Sequence, residues 1–324
     1  MMPIVSRSPD ERIAFATYRG VRIGSETRPI HAEGWTGEQS TGSIPLIAFS
    51  LLPIHVHFAD ESPIVLSPAT VAMTTVNGMY HRSPASPRGQ RSILIYLSDE
   101  ILAPIVRRAN PRAIDHPDDP FPRRYAPACP RALAMARQLE RIAFRDDRTT
   151  DPIAIEECAI RIVERSLQNT ADTAFVDQRA STSRQTFLHQ RERVNHAICC
   201  LCGNPSKRWS LDELADETEL SPAYLSRLFH AHTGTTITRA LAIIRIAHVL
   251  EQLPGAHGQL TQIALSSGFG SHAHMSSVFC KLLSTTPSAF VDASPATIRE
   301  TMRTLDQMLT DRGDDQDARG SSAP

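Results

Sequence analysis

The chain has 324 residues, long enough for two domains with separate cores. Its 34 Lys and Arg against 35 Asp and Glu leave a net charge of −1, so overall charge predicts no polyanion partner. No apolar run of about 18 residues occurs, so no membrane span is expected.

The start, Met1 to Glu11, lacks the apolar core of a signal peptide. The six cysteines, Cys129, Cys158, Cys199, Cys200, Cys202 and Cys280, show no paired spacing. Reduced thiols and a cytoplasmic location are the expectation.

Residues 1 to about 40 read as polar and irregular. From Ile44 to about Leu97 the pattern changes to short apolar runs at 44–52, 54–58, 64–66, 70–76 and 92–97. Pro53, Ser67-Pro68, Asn77-Gly78 and the Pro-rich stretch 83–87 separate them. Runs of this kind predict a sandwich or barrel. Asn77-Gly78 between Val76 and Met79 is a hairpin signal.

After the capping residue Ser98, helical periodicity takes over. It predicts helices around Ile101–Val106, Ala132–Phe144 and Ile153–Leu167. Residues 169–190 are Ser-, Thr- and Gln-rich and read as linker. From Gln190 to about Val291 the pattern is helical throughout. A last helix is expected at 296–309, then a Gly-, Asp- and Ser-rich disordered tail from Asp311.

Within the helical region one motif occurs twice, at 210–229 and 260–279. Each copy reads as helix, tight turn, helix. In the first, Ser210 and Glu213 form a capping box, and Leu211, Leu214 and Ala215 face inward. Ser221 is the next N-cap, with Pro222 at the first helical position. Leu225, Leu228 and Phe229 bury the second helix, which leaves Ala223, Tyr224, Ser226, Arg227 and His230 outward. In the second copy Gly268 permits a left-handed turn and Ser271 caps. Met275, Val278 and Phe279 point in; His272, His274, Ser276 and Ser277 point out.

Two such units at this spacing resemble the C-terminal domain of the AraC/XylS family of transcription regulators. The residues that carry the resemblance are Leu211, Leu214, Ala215, Ser221-Pro222, Tyr224 to Phe229, Gly234, Leu241, Arg245, Ile263-Ala264, Gly268-Phe269, Phe279, Pro287 and Phe290. The resemblance implies a long helix, here 238–253, that joins the units. It would hold both recognition helices on one face of the duplex, where major grooves repeat about every 34–36 Å.

Several positions depart from the family's pattern. Glu219 stands where the family has a turn glycine, Met275 replaces a Phe, Ser277 an Arg and Ser284 a Gly. Residues 191–292 carry eight Lys or Arg and eight Asp or Glu, so weak, site-limited DNA binding is expected.

The resemblance extends by pattern to the cupin-like N-terminal domain of some of these regulators. His55 and His57 on one strand suggest half of a cupin-type metal site, with Glu61 close in sequence, but an unliganded pair is the simpler reading. Cys199, Cys200 and Cys202 suggest a metal or redox cluster, but buried structural thiols fit their helical setting better.

The expected fold is α+β: a β-rich, cupin-like sensory or dimerisation domain with flanking helices at 1–170, then an all-α domain of two helix-turn-helix units at 191–293. A linker at 171–190 and a tail at 294–324 complete it. The expected function is sequence-specific transcription regulation, with activation as the sign. Double-stranded promoter DNA and RNA polymerase are the expected partners; a homodimer and a small-molecule effector stay open. The DNA-binding candidates are Ala223, Tyr224, Ser226, Arg227, His230, His272, His274, Ser276 and Ser277. No catalytic residue, metal or cofactor is predicted. The alternative is a cupin-type metalloenzyme or ligand-binding module with a DNA-binding appendage.

Overall fold

The computed structural model of the protein describes residues 4–8, 11–32, 35, 37–58, 62–144, 151–171 and 183–292, with isolated positions between 296 and 307. The α+β architecture is present. Two antiparallel sheets come first. One runs in the order β1 (Ile4–Ser8), β2 (Glu11–Thr17), β3 (Val21–Arg28), β10 (Gln90–Leu97), β5 (Leu46–Ser50), β8 (Thr70–Thr74), β11 (Tyr125–Pro127). The other runs β4 (Gln39–Ser40), β9 (Met79–Pro84), β6 (Ile54–Phe58), β7 (Ile64–Leu66).

The sheets face each other across a cavity of about 380 Å³. Ile54, Val56 and Phe58 line it from the smaller sheet, and Leu94, Tyr96 and Glu26 from the larger. The opposite face of the larger sheet buries Ile23, Ile47, Phe49, Val71, Met73, Ile93 and Ile95 against helices. That double burial accounts for the unbroken apolar run Ile93-Leu94-Ile95.

The described part of the first 40 residues, expected to be irregular, supplies β1 to β4. Strand β3 escapes a periodicity reading because its inner face carries charge. Val21 and Ile23 face the helices, whereas Arg22 and Glu26 line the cavity. Glu26 is buried and accepts from Arg82 at 2.7 Å and from Gln90 at 2.8 Å, with Arg28 at 3.5 Å. A buried charge is tolerated where partners satisfy it, and the two closest partners, Arg82 and Gln90, lie far away in sequence.

Asn77 takes the left-handed conformation its hairpin signal implies, φ 53°. Yet β8 and β9, which it joins, lie in different sheets. The turn is a corner: Asn77 N donates to Gly42 O, and Gly78 N to Thr41 Oγ1.

Nine α-helices follow among the described residues. The first three are α1 (Asp99–Ala109), α2 (Pro130–Ala143) and α3 (Pro152–Ala171). Then come α4 (Arg184–Gly203), α5 (Leu211–Glu217), α6 (Pro222–Thr233), α7 (Ile237–Gln252), α8 (Leu260–Ser266) and α9 (His272–Leu283), with a 3-10 turn at Pro287–Phe290. No helix among the described residues is long and apolar enough to cross a membrane.

Helix α2 is sandwiched. It packs on β3 and β10 on one side and on α7 and α9 on the other. Even Arg137, Gln138 and Glu140 are buried on it, with Glu140 paired to Arg137 and, at 2.5 Å, to Arg91. Its ends hold the C-terminal helices: Arg131 Nη2 donates to Ser284 Oγ at 2.7 Å, and Arg141 Nη1 to Phe290 O at 3.2 Å.

The expected linker at 171–190 is partly helical. Helix α4 begins at Arg184, because Phe187 is buried there against the His232 ring, 5.0 Å away. Residues 172–182 lie outside the described residues, as does Glu61. So do the expected helix at 296–309, isolated positions apart, and the tail from Asp311.

Candidate nucleic-acid interface

Both helix-turn-helix units form, and local chemistry marks the starts of α5, α6 and α9. Ser210 and Glu213 make the reciprocal capping box of α5. Pro222 opens α6 after Ser221, whose backbone is extended but whose hydroxyl makes no cap hydrogen bond. Ser271 caps α9 by accepting from His274 N at 3.1 Å. Leu211, expected inward, is 40% exposed, because it sits at the first turn of α5 beyond the crossing with α6.

Each turn requires a left-handed residue. In the second unit Gly268 has φ 83°, and a Cβ there would stand 2.4 Å from Pro205 O. In the first unit Glu219 adopts φ 55°, a conformation costing a non-glycine residue about 1–2 kcal/mol. Arg193 offsets part of this: it pairs with the Glu219 carboxylate at 2.7 Å and donates to Thr218 O at 3.2 Å. Ser284 closes α9 in the same conformation, φ 56°, and its hydroxyl takes the Arg131 bond.

Helix α7 joins the units and is buried on most faces, with Ala240, Ile243, Ile244, Ile246, Ala247, Val249 and Leu250 in the core. It touches α4, α6, α8 and α2, which is why it shows no clean amphipathic stripe. From it Arg245 donates to Pro205 O at 2.8 Å and to Lys207 O at 2.9 Å. That pins the loop before α5 against the turn at Gly268. His248 Nδ1 lies 3.2 Å from Ser267 Oγ in the same turn. The two units are thus tied to one another through α7.

On α6, Ala223, Tyr224, Ser226, Arg227 and His230 are all exposed. The Tyr224 hydroxyl accepts from Gln190 Nε2 at 2.9 Å, which orients its ring. On α9, His272, His274 and Ser277 are exposed and Ser276 is half-buried, 3.3 Å from His272 Nε2. His274 meets Phe269 edge-on at 5.5 Å.

One cation near this face has no local sequence signal. Arg208 is exposed, and its Nη2 lies 3.9 Å from where a Cβ on Gly270 would stand. It therefore sits beside the start of α9, the helix that lacks an outward Arg. Only the fold of the 204–210 loop brings it there.

The cysteines and histidines outside the motif separate cleanly. Cys202 is buried, whereas Cys199 and Cys200 are half-buried, and none of the six cysteines forms a disulfide. Burial pushes the Cys199 thiol up to about 11, so it is not a poised nucleophile. His55 and His57 project from the face of β6 opposite the cavity, since Ile54, Val56 and Phe58 point inward. His55 Nε2 reaches Cys199 Sγ at 4.0 Å on α4. A cupin-type metal site inside the sheets is therefore not built from these imidazoles, and the metalloenzyme alternative loses its ligands.

A family model described as "Helix-turn-helix domain" matches residues 214–293. An uncharacterised HTH-type transcriptional regulator of Haemophilus influenzae is 29% identical over 104 residues, 32% of this chain and 35% of that protein. The HTH-type transcriptional regulator GlxA of Rhizobium meliloti is 32% identical over 112 residues, 35% of this chain and 32% of that protein. The HTH-type transcriptional activator RhaR of Salmonella schwarzengrund is 26% identical over 156 residues, 48% and 53% of the two chains. The chain thus spans about a third to a half of the length of these curated relatives. Among solved structures, the AraC-like transcriptional activator CuxR aligns over 81% of this chain and 88% of its own at 14% identity, with a TM-score of 0.36. ToxT from Vibrio cholerae aligns over 84% and 98% at 11% identity, with a TM-score of 0.32. Two helix-turn-helix units, tied through α7 and matched by the family model over residues 214–293, make the C-terminal part of this chain a helix-turn-helix domain similar to those of these HTH-type transcriptional regulators.

Proposed function

We propose that the protein binds promoter DNA sequence-specifically and regulates transcription from it, as a cytoplasmic activator that works with RNA polymerase. The observation that carries this reading is the pair of recognition helices, α6 and α9, whose outward residues are exposed, Ser276 being half-buried, while their opposite faces pack on α7 and α2 respectively. A helix held this way can enter a major groove without rearranging. The activator name of the RhaR relatives supports the sign.

On α6, Arg227 is the base-reading residue, since an outward arginine suits the bidentate contact to guanine. Ala223, Tyr224, Ser226 and His230 surround it. On α9, His272, His274 and Ser277 meet DNA, Ser276 supports His272, and Arg208 supplies the phosphate contact the helix lacks. The reader runs from α4 to the turn ending at Phe290. The two sheets with α1 to α3 form the sensory unit, and the cavity between its sheets is the place for a small-molecule effector.

The test uses the full chain. A site is selected from random duplexes, and binding to it and to unrelated DNA is measured by fluorescence anisotropy at fixed salt. Arg227→Ala should lose about 1–3 kcal/mol on the selected site and relax discrimination at one base pair. Equal loss on unrelated DNA would make Arg227 a phosphate contact. No loss on either would refute the assigned face.

A further inference from the structure

One face of α4 is turned toward α5 and the turn after it. Arg193, His196 and Cys200 fall on that face at helical spacing, three and four residues apart. Arg193 already grips the turn through Thr218 O and Glu219. One and two turns further along, His196 and Cys200 approach Glu217, the last residue of α5. The imidazole nitrogen, the sulfur and the carboxylate oxygen all lie within 4.8 Å of one another. The His196 and Glu217 side chains make no hydrogen bond or ion pair with any described residue. His196 and Glu217 are exposed and Cys200 is half-buried, so an ion has access and the donors are free to adjust.

We propose that His196, Cys200 and Glu217 form a binding site for a divalent transition metal, Zn2+ by the chemistry of its donors, that fastens α4 to α5. One thiolate, one imidazole and one carboxylate make a mixed set of soft, borderline and hard ligands. Zinc accepts all three, whereas magnesium and calcium call for oxygen ligands alone. Tetrahedral zinc with these ligands needs roughly 3.5 Å between donor atoms. Rotation of the exposed His196 and Glu217 side chains closes the remaining gap without moving either helix. The fourth position faces solvent and takes a water. When the ion binds, the Cys200 thiol gives up its proton to solvent and the sulfur–metal bond forms; nothing is oxidised or reduced.

The consequence is local. Glu217 immediately precedes Thr218 and the left-handed Glu219, so the ion would clamp the same turn that Arg193 holds. That turn sets the angle between α5 and the recognition helix α6. The site does not depend on the DNA-reading proposal, because metal titration reports ligation alone.

The test uses purified full-length protein, reduced and stripped with a chelator, and titrated with Co2+ as the spectroscopic substitute for Zn2+. The wild type should develop a saturable thiolate-to-cobalt charge-transfer band that Zn2+ abolishes, with one ion per chain. Cys200→Ser should remove the band, and Cys199→Ser should keep it. His196→Gln and Glu217→Gln should each weaken binding by roughly 100-fold or more, since losing even an outer-shell partner costs 10–100-fold. Circular dichroism checks that each variant is folded; if Cys200→Ser is not, the two exposed-site variants carry the test. A wild type without a saturable band, a band that survives Cys200→Ser, or unchanged affinity in both exposed-site variants overturns the proposal.

Discussion

Acid should loosen the C-terminal helices chiefly through His232 on α6, the most strongly shifted histidine there. Its side chain is 1% exposed. The ring lies 5.0 Å from Phe187, and neither nitrogen has a hydrogen-bond partner among the described residues. Arg191 sits against it, with Nη1 donating to the His232 carbonyl at 3.0 Å. Burial first, and then the Arg191 cation, push the imidazole from the ordinary 6.5 down to about 4. The folded protein therefore holds His232 neutral where the unfolded chain takes up a proton. Stability is fully present above pH 6.5 and falls as the pH drops from there to about 4; below that both states are protonated and the loss levels off. The difference between the two values corresponds to roughly 3 kcal/mol over that window.

His232→Leu removes both the titration and two buried nitrogens. At pH 7 the variant should match or exceed the wild type. Between pH 6.5 and 4 it should lose roughly 3 kcal/mol less. Urea unfolding at a series of pH values measures this. The chain has two tryptophans, so a Trp35→Phe background leaves Trp209, next to α5, as the reporter. An acid slope identical in the variant would refute the reasoning.

Two further perturbations test how the units are built. Gly268→Ala forces an alanine into φ 83° and a Cβ to 2.4 Å from Pro205 O, so it should cost more than about 2 kcal/mol by urea unfolding. A cost near the ordinary Gly-to-Ala value would mean that the turn is not left-handed. Glu26→Ala removes the carboxylate shared by Arg82, Arg28 and Gln90 inside the sheets, and should lower stability by about 3–5 kcal/mol in a thermal or urea melt of the full chain. A loss under about 1 kcal/mol would show that the cluster opens to water.

The reading units were legible because their signals are local. The capping box of Ser210 and Glu213, Pro222 at a helix start, Ser271 as a cap and the left-handed Gly268 each act within a few residues. The outward residues of α6 follow from the helical period alone, and all five are exposed as expected. Even the departure at Glu219 was visible as a conflict, and the structure retains the left-handed turn with Arg193 as its support.

The residues that escaped the sequence reading all depend on partners distant along the chain. Strand β3 hides its identity because Glu26 is satisfied by Arg82 and Gln90. Asn77-Gly78 encodes a tight turn, but whether that turn closes a hairpin or rounds a corner is decided by which sheet β9 joins. His55 and His57 alternate correctly with Ile54, Val56 and Phe58, yet alternation cannot say which face is the cavity. Arg208 beside Gly270, and Glu217 beside His196 and Cys200, are juxtapositions made by helix packing. The sequence by itself determined what neighbouring backbone groups and side chains settle between themselves: helix ends, turns and buried stripes. Tertiary structure alone decided where charge is buried and which donors meet, because those energies exist only once separate segments have come together.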